Sequence, residues 1–231
     1  MSVRHSLVIP VYNEADNLTD VIEAADRVLA PRAGGHEIII ADDGSTDGTA
    51  DIVSRLTARI PRCRRLALAH HGQASALLTG LRNAQGSLLL TMDGDGQNDP
   101  ADFPVLIEAV EAGRFDLACG RRVRRHDPWL RRTMSALANG VRRRILGDGV
   151  HDAGCQLRVM RREVVGALRE TELLQAFIPA LAAAAGFRVG EFPVRHHPRT
   201  RGRSNYGLGN LWWRPARAML RLRGQLTKKS P

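Results

Sequence analysis

The stretch that decides the fold is Ser87-Leu88-Leu89-Leu90-Thr91-Met92-Asp93-Gly94-Asp95, an apolar run that ends in two carboxylates. Such a run followed by a glycine turn is typical of a buried strand that leads into a loop. Gly94 and Gly96 allow a turn tight enough to bring Asp93 and Asp95 to the same side. Hard oxygen ligands in this arrangement suit Mg²⁺ or Mn²⁺, with phosphate oxygens completing the octahedron. The loop therefore predicts a divalent cation and a nucleotide diphosphate.

Two other interpretations of this loop compete with a metal site. Acidic turns that contain glycine are common, and such a turn standing alone is more often plain surface. A calcium loop is the second, because Asp93, Asp95 and Gln97 occupy the first, third and fifth places of an EF-hand. The calcium loop is excluded, because its obligatory glycine is replaced by Asn98 and its twelfth residue, normally glutamate, is Pro104.

The pattern of a strand followed by a polar loop recurs along the first half of the chain. Apolar runs at 7–11, 38–41, 66–68, 87–92 and 115–119 alternate with segments whose apolar residues have a helical period. This alternation predicts an α/β domain with a mainly parallel sheet, in which ligands bind at the carboxyl ends of the strands. The polar residues that follow the strands are Tyr12-Asn13-Glu14, Asp42-Asp43 and Asp93-Gly94-Asp95. We therefore expect a single site at one edge of the sheet.

Charge is divided unevenly along the 231 residues. The formal net charge is +10, but residues 1–110 carry 9 basic and 15 acidic side chains, whereas residues 111–231 carry 25 and 9. A basic half built almost wholly from arginine predicts a polyanionic partner. Nucleic acid, anionic lipid and phosphorylated substrates all meet this description.

Length, cysteine usage and hydropathy narrow the class of protein. The length fits one α/β domain with a C-terminal appendage. Three cysteines without CxxC spacing indicate neither a disulfide framework nor a zinc site. No apolar leader precedes Pro10, and the most apolar stretch, 173–187, is too short to span a bilayer. We therefore expect a cytoplasmic protein that can only lie on a membrane.

The second half of the chain continues the α/β pattern after an arginine-rich insertion. The sequence looks helical at 129–146, and we expect a strand at 155–160, a helix at 174–185 and a strand at 187–194. Paired tryptophans and regularly placed arginines at 211–223 are typical of an interfacial amphipathic helix. Packing of these apolar residues against the domain is the alternative.

Three motifs in this order resemble those of the family-2 glycosyltransferases of GT-A fold. They are Val8-Ile9-Pro10-Val11-Tyr12-Asn13-Glu14, Ile39-Ile40-Ala41-Asp42-Asp43-Gly44-Ser45-Thr46-Asp47-Gly48-Thr49 and Met92-Asp93-Gly94-Asp95-Gly96-Gln97. Further stretches at 120–122, 152–158 and 199–206 narrow the resemblance to the branch of dolichyl-phosphate mannosyltransferase and bacterial polyprenyl-phosphate glycosyltransferases. The resemblance covers about residues 5–210 and implies a Rossmann-like parallel sheet flanked by helices.

The resemblance implies a role for several side chains. Those expected at the nucleoside and donor are Pro10, Tyr12, Glu14, Ala41, Asp42 and Asp43. Those expected at the metal and diphosphate are Asp93, Asp95 and Gln97, with Arg199 and Ser204 reaching the donor diphosphate. Those expected at the acceptor phosphate are Arg122, Arg131 or Arg132, and Ser135. Asp152 is either a catalytic base or the partner that orients an arginine.

Domain limits follow from the same resemblance. We expect a catalytic domain at 1–206, whose arginine-rich part at 120–147 faces the acceptor and the membrane, and a basic amphipathic segment at 207–231.

Two departures from the family pattern stand out. Asn205 replaces the lysine that usually follows Ser204, and we expect none of the C-terminal transmembrane helices found in many members of the branch.

The sequence therefore predicts an inverting, metal-dependent transfer of a sugar from a UDP- or GDP-sugar to a polyprenyl phosphate at the cytoplasmic membrane face. A hydroxyl acceptor on a glycan or small molecule is the first alternative, and a non-catalytic nucleic-acid-binding protein is the second. A dinucleotide oxidoreductase is disfavoured, because no GxGxxG follows the first strand. His196 and His197 have no partner at ligand spacing, so we do not expect them to bind metal. The sequence leaves oligomerisation and a membrane-protein partner open.

Overall fold

A single seven-stranded sheet runs through the computed structural model, which describes residues 3–123, 139–198 and 213–227. The strands are β1 His5–Val11, β2 His36–Asp42, β3 Cys63–Ala67, β4 Leu88–Thr91, β5 Leu117–Arg122, β6 Arg158–Arg161 and β7 Val189–Val194. Their order across the sheet is β3-β2-β1-β4-β6-β5-β7, and β6 alone runs antiparallel to its two neighbours. The predicted mainly parallel α/β sheet is confirmed.

Helices cover both faces of this sheet. They are α1 Ala15–Leu29, α2 Thr49–Arg59, α3 Gln73–Asn83, α4 Phe103–Glu111, α5 with described residues 139–146, α6 Leu174–Ala184 and α7 Trp213–Thr227. One core cluster joins the sheet to α1, α2 and α4, and a second joins it to α3, α6 and α7. A sheet covered on both faces buries its inner strands at every position, as found for β1, β2 and β4, whose residues are mostly apolar.

The central strand β1 shows why this sequence folds as a buried strand. Every residue of β1 and β2 is buried, and the two strands pair in parallel from His5 to Val11. Leu7 and Ile9 enter the cluster with α1, whereas Val8 enters the cluster with α3. Successive side chains of a strand point to opposite faces, so a continuous apolar run satisfies both helix layers.

Several strand boundaries differ from the sequence prediction, among them that of β3, which runs from Cys63 to Ala67 where an apolar run was expected at 66–68. The run expected at 115–119 is a strand from Leu117 that continues to Arg122, and the strand expected at 155–160 is confined to Arg158–Arg161. Before β6 the chain bends, and the backbone oxygen of Gln156 accepts a hydrogen bond from the Thr91 hydroxyl at 2.7 Å. The longer β5 carries Arg122 to the carboxyl edge of the sheet, where the chemistry of the site lies.

The C-terminal helix α7 lies against the domain. Ala218, Met219 and Leu222 are buried in the cluster that also contains α6, while Leu220 and Arg221 are exposed. Ala218, Met219 and Leu222 thus follow the packing alternative, Leu220 does not, and attachment of the helix to a membrane surface stays a prediction. In the described ranges, no helix combines the length and the apolar character needed to cross a bilayer.

Glycine at position 80 lets α3 approach the sheet closely. A β-carbon at Gly80 would lie 2.4 Å from Cγ1 of Val8 and 3.3 Å from Cβ of Ala41. We therefore expect Gly80→Ala to lower the free energy of unfolding by about 1–3 kcal/mol through overpacking. Gly224→Ala in α7 is the matched control, because nothing lies within 4 Å of its added methyl group. Helix propensity predicts that this control gains about 0.5–1 kcal/mol, and urea melts of both variants test the difference in sign.

Candidate active site

The predicted polar cluster forms at the carboxyl edge of the sheet. The loops that follow β1, β2 and β4 meet there, because these three strands are parallel neighbours. The ends of β5 and β7 reach the same edge, since these two strands are parallel to each other and β6 reverses direction between β4 and β5. The polar loops after β1, β2 and β4 and Arg122 at the end of β5 therefore lie at the same edge of the sheet.

Asp42 anchors the loop after β2. Its side chain is fully buried, and its carboxylate accepts hydrogen bonds from Arg65 Nε at 2.9 Å and from the backbone N–H of Ser45 at 2.9 Å. Hydrogen bonds to Ser45 and Arg65 hold the pKa of this carboxyl below its usual value against the opposing effect of burial. The geometry therefore gives the Asp42 side chain a role in fixing the loop, and its contact with the donor stays a prediction.

Asp43 binds a segment that the sequence analysis did not single out. Its carboxylate accepts the backbone N–H groups of His71 and Gly72, each at 2.9 Å. The His70 ring lies 2.9 Å from the same carboxylate and stacks on Tyr12 with ring centroids 4.3 Å apart. Asp43 thus joins the loop after β2 to the start of α3.

The loops after β1 and β2 interlock through short polar side chains. Asn13 has a left-handed backbone with φ 56°, which asparagine tolerates, and its Oδ1 accepts the N–H of Thr46 at 2.8 Å. In return, Ser45 Oγ accepts the N–H of Asn13 at 3.0 Å, and Thr49 Oγ1 accepts that of Glu14 at 3.1 Å. Ser45, Thr46 and Thr49 of the second motif therefore hold the loop after β1 in place through hydrogen bonds.

Pro10 and Ala41 lie opposite each other in the β1–β2 register, and both are buried. The Ala41 methyl group faces α3, where it would lie 3.3 Å from a β-carbon at Gly80. Contact with a nucleoside at these two positions would therefore come from the backbone of the strand ends.

Asp93 and Asp95 form an acidic pair directly after β4. Burial, followed by the nearby charge of Asp95, raises the pKa of Asp93 to about 7, while Arg158 and Arg122 oppose this rise. Gln73 Nε2 donates a hydrogen bond to Oδ1 of Asp93 at 2.9 Å, and the backbone N–H of Asp93 bonds to Asn98 Oδ1 at 3.2 Å. Two carboxylates whose charges repel each other would be stabilised by a cation.

The donor set of this loop fits a metal that is shared with a substrate. Asp93, Asp95 and the amide of Gln97 could supply oxygen ligands, and the loop is held in place because Asp95 Oδ1 accepts the N–H of Gln97 at 3.0 Å. Across the described ranges, no three His, Cys, Asp or Glu residues cluster to hold a metal. A divalent cation here would therefore need oxygens from a bound phosphate to complete its shell.

Arg122 stands at the end of β5 in a fixed orientation. Asp152 accepts hydrogen bonds from its Nε at 2.7 Å and its Nη2 at 2.8 Å, and Nη1 lies 3.4 Å from Nε2 of His196. Glu191 on β7 in turn accepts the backbone N–H groups of His151 at 2.9 Å and Asp152 at 2.7 Å. This arrangement shows Asp152 in the second of its two predicted roles, as the partner that orients an arginine.

A second arginine, from the stretch at 152–158, is buried inside the domain. Arg158 has no solvent exposure, and its guanidinium donates to Gln156 Oε1 at 2.9 Å and to the backbone oxygen of Ala153 at 2.9 Å. Its charge lowers the pKa of Asp93, as that of Arg122 does. The two arginines therefore favour the ionised form of the carboxylate that a metal needs.

The chain after β7 runs along the acidic loop. Asn98 and His196 form an isolated antiparallel bridge, and the N–H of His197 donates to the backbone oxygen of Gln97 at 2.9 Å. The His197 ring lies 3.2 Å from Asp99, and Arg195 pairs with Asp99 at 3.1 Å. These contacts fix both histidines beside the acidic loop.

Several predicted residues lie outside the described ranges. They are Arg131, Arg132, Ser135, Arg199, Ser204 and Asn205. Their roles at the acceptor and the donor diphosphate stay predictions.

The family model of glycosyl transferase family 2 matches residues 6–169, so the chain belongs to this family. The match contains β1 to β4 with their polar loops, Arg122 and Asp152. The family expectation drawn from the three motifs is therefore confirmed.

Curated relatives share about a third of their residues with this chain. The undecaprenyl-phosphate 4-deoxy-4-formamido-L-arabinose transferase of Edwardsiella ictaluri is 38% identical over 209 residues, which cover 89% of this chain and 64% of the relative. The dodecaprenyl-phosphate galacturonate synthase of Rhizobium johnstonii is 36% identical over 220 residues, with 91% and 64% covered. The chain thus spans a little under two thirds of the length of these relatives.

Solved structures confirm the GT-A fold. Glucosyl-3-phosphoglycerate synthase from Mycobacterium tuberculosis in complex with phosphoglyceric acid superposes with a TM-score of 0.75 and 19% identity, over 96% of this chain and 80% of that one. The same enzyme in complex with Mn²⁺ and uridine-diphosphate-glucose gives a TM-score of 0.71 at 17% identity, over 96% and 79%. At this level of identity the likeness carries the fold alone.

Proposed function

We propose that the chain transfers a sugar from a nucleotide-diphosphate sugar to a polyprenyl phosphate, with a divalent cation at Asp93 and Asp95. The observation that carries this proposal is the clamped guanidinium of Arg122 at the same sheet edge as the acidic pair. The named activities of the two curated relatives, which join sugars to undecaprenyl and dodecaprenyl phosphates, support the same substrate class.

The geometry at Arg122 favours a phosphate acceptor over a hydroxyl. A hydroxyl needs a base near its proton, and Asp152 is a poor candidate because both its oxygens bind Arg122. A phosphomonoester has a second pKa near 6, so it is already mostly dianionic at pH 7 and needs orientation by arginine without deprotonation. One of its oxygens attacks the anomeric carbon, the bond from that carbon to the donor diphosphate breaks, and a single displacement inverts the anomeric centre.

The donor would occupy the loops after β1, β2 and β4. Tyr12, Glu14 and the strand ends at Pro10 and Ala41 would contact the nucleoside, while Asp93, Asp95 and Gln97 would hold Mg²⁺ or Mn²⁺ on the diphosphate. When bound, this cation supplies charge stabilisation for the departing diphosphate. We propose that Arg199 and Ser204 also contact the donor diphosphate.

A polyprenyl phosphate is embedded in a bilayer up to its headgroup, so the proposed reaction takes place at a membrane surface. We propose that this surface is the inner face of the cytoplasmic membrane. This face is in contact with the cytoplasm, where nucleotide sugars are made. The basic second half of the chain suits an anionic lipid surface.

The direct test mixes the purified chain with Mn²⁺ or Mg²⁺, a panel of UDP- and GDP-sugars, and undecaprenyl phosphate in detergent. We expect release of UDP or GDP that depends on the phosphorylated lipid, with undecaprenol as the control acceptor that lacks the phosphate. Nucleotide release with soluble glycan acceptors but not with the lipid phosphate would favour a hydroxyl acceptor. The proposal would be contradicted if the chain bound nucleic acid in a salt-sensitive way and bound no nucleotide sugar.

Glycine at position 154 leaves room for the Arg122 guanidinium. A β-carbon there would lie 2.9 Å from Nη2 of Arg122, which is the mobile end of a side chain. We therefore expect Gly154→Ala to displace the guanidinium and lower kcat/KM by about 10–100-fold, with little effect on stability. Gly166→Ala, where nothing lies within 4 Å of the added methyl group, is the control and should keep wild-type kinetics. Equal kinetics of the two variants would contradict the assigned position of Arg122.

A further inference from the structure

Asp93 is held by a line of two hydrogen-bonded glutamines, Gln73 and Gln175. This line joins three distant parts of the chain. Gln73, the first residue of α3, donates to Oδ1 of Asp93 at 2.9 Å. Gln175, in the first turn of α6, donates through Nε2 to Oε1 of Gln73 at 3.2 Å, across 102 positions of sequence. The line therefore runs from the helix layer of the second half of the chain to the acidic loop.

The direction of both hydrogen bonds follows from chemistry. An ionised carboxylate can only accept, so the Gln73 amide must turn its NH₂ group toward Asp93 and its oxygen away. An amide oxygen facing Gln175 can only be satisfied by a donor, so Gln175 must present its own NH₂ group. Gln175 thus selects the one orientation of the Gln73 amide that supports an ionised Asp93. With the opposite orientation, an amide oxygen would face the carboxylate.

The backbone on both sides of the line is fixed. Gly72 has φ 93°, and its N–H donates to Asp43, which sets the point at which α3 begins. Leu173, directly before α6, has φ 64°, a left-handed conformation that a leucine adopts only at an energetic cost. Gln175 is buried, on a helix that packs against α3. The two amides are therefore placed by rigid elements on either side.

A neutral donor suits a metal ligand better than a charged one. A lysine or arginine in place of Gln73 would also bind Asp93, but its charge would compete with the cation. The amide fixes Oδ1 and leaves the negative charge in place. Over the described ranges, no hydrogen bond reaches Oδ2 of Asp93, which leaves this oxygen for a ligand.

We infer that Gln73 and Gln175 are positioning residues that orient the Asp93 carboxylate for a divalent cation. The inference rests on the proposed function for the identity of the site, but it makes a separate claim about metal affinity. Because the two amides act in series, loss of Gln73 makes Gln175 irrelevant to Asp93. The line also ties α6 to the metal loop, and through Gly72 it ties the metal loop to Asp43 on the nucleoside side.

The test measures Mn²⁺ dissociation constants from the electron paramagnetic resonance signal of free Mn²⁺. UDP or GDP is present to supply the phosphate oxygens, the Mn²⁺ bound by the nucleotide alone is subtracted, and no sugar donor or lipid is added. We expect Gln73→Ala to bind Mn²⁺ about 10-fold more weakly, as is usual when the partner of a metal ligand is removed. Gln175→Leu should weaken binding about fivefold, which corresponds to the loss of roughly one hydrogen bond. The double variant should match Gln73→Ala, because residues in series are not additive.

Two further variants separate positioning from folding. Asn83→Ala removes an amide at the other end of α3, which bonds to the backbone oxygen of Thr79, and should leave Mn²⁺ affinity unchanged. Gln73→Glu keeps the length of the side chain but faces Asp93 with a carboxylate, so it should weaken binding at least as much as Gln73→Ala.

Additive losses in the double variant would overturn the inference. Unchanged dissociation constants accompanied only by lower melting temperatures would also overturn it, as would the absence of Mn²⁺ binding by the wild-type chain. Failure to glycosylate a lipid phosphate would remove the proposed function but leave these Mn²⁺ constants interpretable, so the two failures are distinguishable.

Discussion

Replacing Asp93 by asparagine is expected to lower transferase activity about a thousandfold, which corresponds to about 4 kcal/mol of lost transition-state stabilisation. Asparagine keeps the size of the side chain and an oxygen for the Gln73 amide, but it removes the charge that a cation requires. The same change removes a buried like-charge contact with Asp95, the second cause of the raised pKa of Asp93. The melting temperature in the absence of metal should therefore be equal to that of the wild type or higher.

This combination of lost activity and retained stability separates a metal ligand from a structural residue. Initial rates with saturating Mn²⁺, together with thermal melts in EDTA, measure the two quantities. Asp51→Asn, which removes an exposed carboxylate on α2, is the matched control and should change neither. A variant at Asp93 that loses both activity and stability would mean that the carboxylate holds the loop together instead of serving a cation.

Truncation of Arg122 to alanine is expected to lower kcat/KM for the lipid phosphate by about 100-fold, or about 3 kcal/mol. Its guanidinium is already oriented by Asp152, so the wild type binds a phosphate without first ordering a long side chain. The loss should appear mainly as a higher KM for the lipid, while Mn²⁺-dependent nucleotide binding is kept.

The control for this variant is Arg188→Ala. Arg188 belongs to the same basic half, but it is exposed and pairs with Asp116 before the start of β7, at the opposite edge of the sheet. It should leave both KM values unchanged. Equal losses in the two variants would mean that the basic half acts through its total charge, and equal loss of nucleotide binding would place Arg122 on the donor side.

The carboxyl-edge site could be predicted because its signals are local in sequence. Asp93 and Asp95 follow an apolar run directly, and parallel strands bring such loop residues together without further information. The interlock of Asn13 with Ser45 and Thr46 arises from the same motifs. The alternation of apolar runs and helical periods was likewise sufficient for the mainly parallel sheet.

The features of the fold and the site that the sequence did not predict depend on contacts between distant segments. Nothing near Gln73 indicates that it meets Asp93, and its second partner Gln175 is 102 positions away. The full burial of Asp42 against Arg65 also depends on the pairing of β2 with β3. The reversed direction of β6 was not anticipated, because a run of four residues does not reveal which neighbours it will join.

The most direct test of the central claim is the mass of the lipid product formed from undecaprenyl phosphate and an accepted nucleotide sugar. We predict a single phosphodiester that gains one sugar, with the phosphate of the lipid retained and both donor phosphates released as nucleoside diphosphate. A product with two phosphorus atoms would show transfer of a sugar phosphate, and a lipid unchanged while a hydroxyl acceptor is glycosylated would show a different acceptor. Either result would contradict attack by the phosphate oxygen that Arg122 is proposed to hold.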